Sequence, residues 1–117
     1  MDAVDPNTLD SLREQLGGQE EVLQRVLGLY LGELPGRMDA IRQALEQQDA
    51  RALRDAAHSL RGSSVTLGAN LVAQICEQLE LDAEAGKLSS APGLLERLEP
   101  AAASTEAAFR AEVERTD

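Results

Sequence analysis

The chain has 117 residues, 43% of them hydrophobic, which suits one packed domain and excludes wholesale disorder. Its net charge of −10, from 21 acids against 11 bases, excludes a phosphate-neutralising nucleic-acid surface, argues against anionic membranes and leaves protein partners open. Tyr30 and Phe109 are the only aromatics, while Ala, Leu, Gln, Glu and Arg are abundant, so the composition predicts an all-α protein.

Asp5-Pro6 reads as an N-cap followed by proline in the first turn of a short helix, about 6–16. Leu9, Leu12 and Leu16 form its apolar face, and Gly17-Gly18 stops it. From Gln19 a stripe of Leu23, Val26, Leu27, Tyr30, Leu31 and Leu34 runs at spacings of three and four and continues through Met38, Ile41 and Leu45. Pro35 predicts a kink or break near residues 31–35. Because the stripe keeps its phase, the pattern favours one kinked helix over about 19–47. Asp49 then caps a third helix, about 50–67, which Gly68 ends. A fourth, about 69–85, carries Leu71, Val72, Ile75, Cys76 and Leu79 on one side. After the turn GKLSSAPG a fifth, about 91–114, holds Leu94, Leu95, Leu98, Ala102, Phe109 and Val113, with Pro100 as a kink point. Short connections between long amphipathic helices predict an antiparallel up-down four-helix bundle, with the first helix as a cap.

With Cys76 alone, no intramolecular disulfide forms, which fits a reducing compartment. The start MDAVDPNTLDSL lacks a signal segment, and no run approaches the roughly 18 apolar residues of a membrane span. A cytoplasmic protein is expected.

The stretch AHSLRGSSVTLG, residues 57–68, holds the single histidine. At about 100° per residue, Leu53, Ala56, Leu60 and Leu67 gather on one side of the third helix with Ser64 among them, and His58 lies nearly opposite, toward solvent. On its side fall Arg51, Arg54, Gly62 and Val65, with Asp55 and Arg61 at the flanks. Arginines at −7, −4 and +3 from His58 make a local positive patch on an acidic protein, although a charge cluster is often only a solvated face. Gly62 carries more weight, because glycine inside a helix costs about 1 kcal/mol relative to alanine. Either the third helix ends there and Ser63 or Ser64 caps the next, or it continues, as the phase of Leu67 indicates. Ser64 on the core side reads as a small residue allowing close helix packing. Gly62 is on the outer side, where a larger side chain would lean back over His58. An exposed histidine with cleared surroundings suits a nucleophile that another protein approaches closely.

These residues resemble the histidine phosphotransfer (HPt) domain family, whose signature runs approximately A-H-x-L-K-G-S-x-x-x-L-G and continues into a helix ending in a C-x-x-L-E-like pattern. Here those are AHSLRGSSVTLG and ANLVAQICEQLE, and LYLGELPGRMDAIRQALEQQDARALRDAAH is similar to the family's second helix and its lead-in to the histidine. Arg61 stands where lysine is commoner, keeping the charge but changing the donor geometry, and Tyr30 stands where phenylalanine is frequent. The resemblance spans nearly the whole chain, implying a single HPt-like domain over residues 1–117.

The resemblance implies a phosphorelay role: a phosphoryl group passes from a receiver-domain aspartate to histidine and on to another receiver. It assigns phosphorylation to His58, charge neutralisation to Arg61, access to Gly62 and a hydrogen bond near the imidazole to Glu80. Arg51, Arg54, Asp55 and Val65 become partner-binding candidates. The implied partners are response-regulator receiver domains, a hybrid sensor histidine kinase, or both, with Mg²⁺ on the receiver and no cofactor or metal in this chain. Nothing resembles a phosphate-binding loop, an ATP site or an H-E-x-x-H motif, so a carrier without kinase activity is expected. The acidic surface and the absence of an exposed heptad seam predict a monomer, and Met1 with the chain length suggests a freestanding protein. The alternatives are the histidine-bearing module of a larger, chemotaxis-type kinase and a receiver-binding adaptor without transfer. A metal-binding bundle is a weaker third, since one histidine is poor ligand supply.

Overall fold

The computed structural model describes residues 3–115, with five helices: α1 (Pro6–Gln15), α2 (Glu20–Glu46), α3 (Ala50–Thr66), α4 (Asn70–Glu84) and α5 (Ala91–Arg115). Side-chain caps begin two of them. Asp5 Oδ1 accepts from the Asn7 amide at 2.9 Å, and Asp49 Oδ1 accepts from the Ala52 amide at 3.0 Å. α2 has no side-chain cap and instead carries Glu20 and Glu21 in its first turn, where acids complement the helix dipole. α2 runs unbroken through Pro35, and α5 through Pro100. Pro35 is exposed, so water can satisfy the Leu31 carbonyl that lacks its helical partner.

α2 and α4 each pack against α3 and α5 and not against one another, the square arrangement of a four-helix bundle. Its links are 47–49, 67–69 and 85–90, too short for anything but antiparallel neighbours. The links are closed alike. In the second, the Ala69 amide donates to the Ser64 carbonyl at 2.8 Å and the Gly68 amide to the Val65 carbonyl at 3.2 Å, with Gly68 at φ +75°. The first link makes the same pair of bonds around Gln48, whose φ of +53° is the single positive value at a non-glycine among the described residues. Sequence gives no glycine signal there. Asp49 serves both sides of that turn, closing α2 with its amide and opening α3 with its carboxylate.

The core is continuous across the bundle. Leu23, Leu27, Tyr30, Leu34, Met38 and Ile41 of α2 meet Leu53, Ala57 and Leu60 of α3, Val72, Ile75, Cys76 and Leu79 of α4, and Leu98 and Phe109 of α5. Several residues of the sequence-read faces lie off the core centre, Leu12, Leu16, Leu45, Leu71, Leu95 and Val113 among them, each half-buried against it. Val26 is exposed, Leu31 is half-buried, and Ala57 replaces Ala56 at the centre of the α3 face. The Tyr30 and Phe109 rings meet edge to face with centroids 5.2 Å apart. Ser64 is buried for more than its size, because its Oγ and the Tyr30 hydroxyl share a hydrogen bond of 2.8 Å inside the core. Each fully buried leucine contributes about 1.5–3 kcal/mol, whereas an exposed pair such as Arg42–Glu99 contributes under about 1 kcal/mol. Packing therefore dominates stability.

α1 caps the end where α2 begins and α3 turns into α4. The Asp5 amide donates to the Gly68 carbonyl at 2.8 Å, and Arg13 ties α1 to Glu20 of α2 and Glu112 of α5 at 2.9 and 2.5 Å. A Cβ at Gly68 would fall 2.7 Å from the Thr8 Cβ. Gly68→Ala is therefore expected to destabilise by about 1–2 kcal/mol from the left-handed backbone alone, and by more once α1 is displaced. Urea unfolding monitored by circular dichroism measures this, and a wild-type midpoint would refute it.

Candidate functional site

His58 sits mid-helix on α3 with 64% of its side chain exposed. Helical phase puts it outside the core, and the residues one turn away on its own helix leave it open. Gly62 lies inside α3 without a positive φ, and a Cβ built there meets nothing within 4 Å. The helix runs on to Thr66, which excludes a helix end at Gly62.

α4 supplies the rest of the site. Glu80 lies on the side of α4 that packs against α3, and its Oε1 is 2.8 Å from His58 Nδ1. Its other oxygen, Oε2, accepts from Arg61 Nε at 2.8 Å. Arg61 Nη2 lies 3.3 Å from His58 Nδ1, so the guanidinium flanks the ring as well as holding the carboxylate. Only 14% of the Glu80 side chain is exposed. That burial raises its pKa, but the bonds from His58 and Arg61 outweigh it and hold the carboxyl below the usual glutamate range. Two acceptor lone pairs cannot share a 2.8 Å contact, so the proton between Nδ1 and this ionised carboxylate is on Nδ1. The lone pair of the neutral ring then falls on Nε2.

Two of the three arginines around His58 are paired with acids. Arg61 is paired with Glu80, and Arg54 donates from Nε and Nη2 to Asp55 Oδ1 at 3.2 and 2.9 Å. The hydrogen bond and charge of Asp55, with smaller contributions from Glu84 and Glu80, raise the Arg54 pKa against a slight opposing effect of burial. Sequence spacing along one helix shows the arginines and Asp55 but not Glu80, which faces Arg61 from the next. Arg51 and Asp55 are exposed on the same helix, and Val65 is 54% exposed two turns beyond His58.

One contributor escapes sequence reading. Arg37 crosses from α2 to donate Nη1 to the Ser59 carbonyl at 2.7 Å and to Ser63 Oγ at 3.0 Å, fixing α2 against the turn that follows the histidine. Its other nitrogen holds Glu33 at 2.7 Å. Cys76 is fully buried on α4, and burial pushes its thiol up to about 12, so it stays neutral near Arg61 and Glu80. Among the described residues, no group of three His, Cys, Asp or Glu side chains could hold a metal ion, and no helix is long and apolar enough to cross a membrane.

A family model described as the Hpt domain matches residues 25–117. The crystal structure of histidine-containing phosphotransfer protein B (HptB) from Pseudomonas aeruginosa PAO1 is similar at 34% identity and a TM-score of 0.89, covering 97% of this chain and 96% of that one. The HPT domain from the Hpt sensor hybrid histidine kinase from Shewanella shares the fold at 19% identity and a TM-score of 0.77, covering 92% of each chain. A search of curated proteins gives no match.

Because Gly62 has ordinary helical geometry and open space, Gly62→Ala is expected to stabilise the protein by about 0.4–1 kcal/mol through the unfolded chain. Denaturant titration checks this. A loss of stability would mean that this turn of α3 is not a regular helix in solution.

Proposed function

We infer that His58 is the phosphoryl acceptor of this chain, which belongs to the Hpt domain family and serves histidine phosphotransfer in two-component phosphorelays. The 2.8 Å contact between His58 Nδ1 and Glu80 carries the assignment, because it leaves an exposed, unprotonated Nε2 as the nucleophile. The phosphoryl group would come from a receiver-domain aspartate and return to one. Such a transfer depends chiefly on alignment and on neutralising the three equatorial oxygens. The rigid α3–α4 pair supplies alignment, and the receiver supplies its own acidic pocket with Mg²⁺. This chain contributes the nucleophile, with no kinase chemistry of its own.

Arg61 supports transfer from beside the ring. Its guanidinium is held by Glu80 within reach of the imidazole, so its positive charge lies close to the incoming dianion. Gly62 clears the approach one turn further along α3. Arg51, Arg54, Asp55 and Val65 form the surrounding helix face on which a receiver would rest. The two similar structures are of a histidine-containing phosphotransfer protein and of the HPT domain of a hybrid histidine kinase, and a donor of either a receiver or a hybrid-kinase kind is compatible with this site. The net charge of −10 supports a monomer, and Cys76 as the single cysteine supports a reducing compartment such as the cytoplasm.

Incubation with a phosphorylated receiver is expected to label the wild-type protein with an acid-labile, base-stable phosphoryl group, whereas a kinase domain with ATP is not. His58→Gln should abolish labelling with helicity and melting temperature nearly unchanged, and persistent labelling of that variant would overturn the assignment.

Arg61→Glu reverses a charge beside the phosphoryl group and is expected to slow transfer by about tenfold or more, since unit charges a few ångströms apart near a protein surface interact by roughly 1–4 kcal/mol. Quenched-flow transfer rates measure it. Transfer at the wild-type rate would remove Arg61 from the site.

A further inference from the structure

We propose that Arg37 is a positioning residue for phosphotransfer: it clamps the turn of α3 between Ser59 and Ser63, and so fixes Arg61 and Gly62 beside His58. This rests on His58 being the phosphoryl acceptor. Arg37 acts through the helix and not by touching the phosphoryl group.

The turn needs an outside hold. Residues 50–61 of α3 are mostly Ala, Leu and Arg, which favour helix, whereas Gly62, Ser63, Ser64, Val65 and Thr66 are weak helix formers in a row. Two of their hydroxyls also compete for the backbone. Ser63 Oγ donates to the Ser59 and Leu60 carbonyls at 3.2 and 3.4 Å, and Thr66 Oγ1 donates to the Gly62 carbonyl at 3.1 Å. Such back-bonds weaken helices, and Gly62 adds backbone freedom with no side chain to limit it. Arg61 must nevertheless keep its place beside the imidazole from within this stretch.

Neighbouring helices supply the hold. Glu80 of α4 takes Arg61, and Tyr30 of α2 takes Ser64 inside the core. The outward half of the turn is left to Arg37. Its Nη1 donates to the Ser59 carbonyl at 2.7 Å and to Ser63 Oγ at 3.0 Å, bridging the two ends of a single turn. Ser63 passes a hydrogen bond on to the same carbonyl, which closes a ring of three groups. The groove beside this ring is lined by Gly32, Gly36, Ala40 and Ala56, side chains too short to cross it. Among the described residues, the side-chain hydrogen bonds between α2 and α3 come from Arg37 and Tyr30.

The charge of Arg37 is already taken up. Glu33, one turn back on α2, accepts from Nη2 at 2.7 Å, so the guanidinium is aimed at α3 as half of a neutral pair. That separates it from Arg61, whose charge lies beside the ring. Arg37 contributes alignment, on which phosphoryl transfer chiefly depends.

The test compares wild type with Arg37→Met, which keeps an apolar stem without donors, and Arg37→Lys, whose ammonium can donate to both α3 acceptors. A hydrogen bond from a charged donor shifts a local equilibrium about tenfold or more. Amides of residues 62–66 in Arg37→Met should therefore exchange with solvent about tenfold faster, with those of residues 54–58 unchanged. Labelling by phosphoramidate and kcat for transfer from a phosphorylated receiver should both fall about tenfold or more, with KM for the receiver unchanged. Arg37→Lys should regain most of both rates. In wild type the Arg37 guanidinium protons should exchange slowly, a measurement independent of how the variants fold. Free exchange of those protons, or wild-type rates in Arg37→Met, would overturn the proposal. So would a loss confined to the receiver reaction, a uniform rise in exchange along all helices, or no rescue by lysine. All of these leave the phosphotransfer reading intact. Failure of the phosphorylated receiver to label wild type would overturn that reading instead.

Discussion

A histidine on the outside of a helix has water for company and no preferred tautomer or direction, and the site depends on removing that freedom. The carboxylate that does so comes from another helix. Glu80 reaches His58 because α3 and α4 pack along their length, with Ala57 and Leu60 of α3 and Ile75, Cys76 and Leu79 of α4 buried around the seam. The imidazole is thereby aimed by the hydrophobic core, through one polar side chain at its edge. That side chain is itself anchored by Arg61, so ring, carboxylate and guanidinium form one unit rather than three independent contacts.

The other polar groups near the site act on the opposite flank of α3. Tyr30 and Ser64 exchange a buried hydrogen bond, and Arg37 grips the Ser59 carbonyl and Ser63. α2 is thus held to α3 by directional bonds as well as by packing. The helix that bears His58 is fixed from both sides, while Gly62 and the exposed Val65 leave its outward face uncovered.

Much of this was legible in the residues. The apolar periods, Asp5 and Asp49 as caps and Gly17 and Gly68 as stops mark five helices, and the phase of α3 puts His58 outside. Three things were not. Gln48 takes a left-handed conformation that no residue type announces, forced by the two amide bonds that close α2 before Asp49 opens α3. The half-exposure of Leu31 and the exposure of Val26 depend on where α3 and α5 sit, which a single helix's periodicity does not contain. The arginine patch looked more positive than it is because Glu80, 19 residues beyond Arg61, faces it only after folding. The resemblance pointed to Glu80, but its bond to Arg61 was visible only in three dimensions.

The docking of α1 has a consequence for how such a unit can be wired into larger assemblies. Arg13 draws α1, the start of α2 and the last turns of α5 to the same end of the bundle, the end at which Gly68 turns α3 into α4. His58 lies ten residues back along α3 from that turn, about 15 Å down the flank. Residues 3 and 115, the first and last described, therefore lie toward one pole of a rod 44 Å long, while His58 occupies its side. A tether attached at either end acts as a mooring line and not as a screen, holding the unit near a neighbour while its flank stays free to turn toward successive partners. An attachment at that pole leaves the face that carries His58 unchanged.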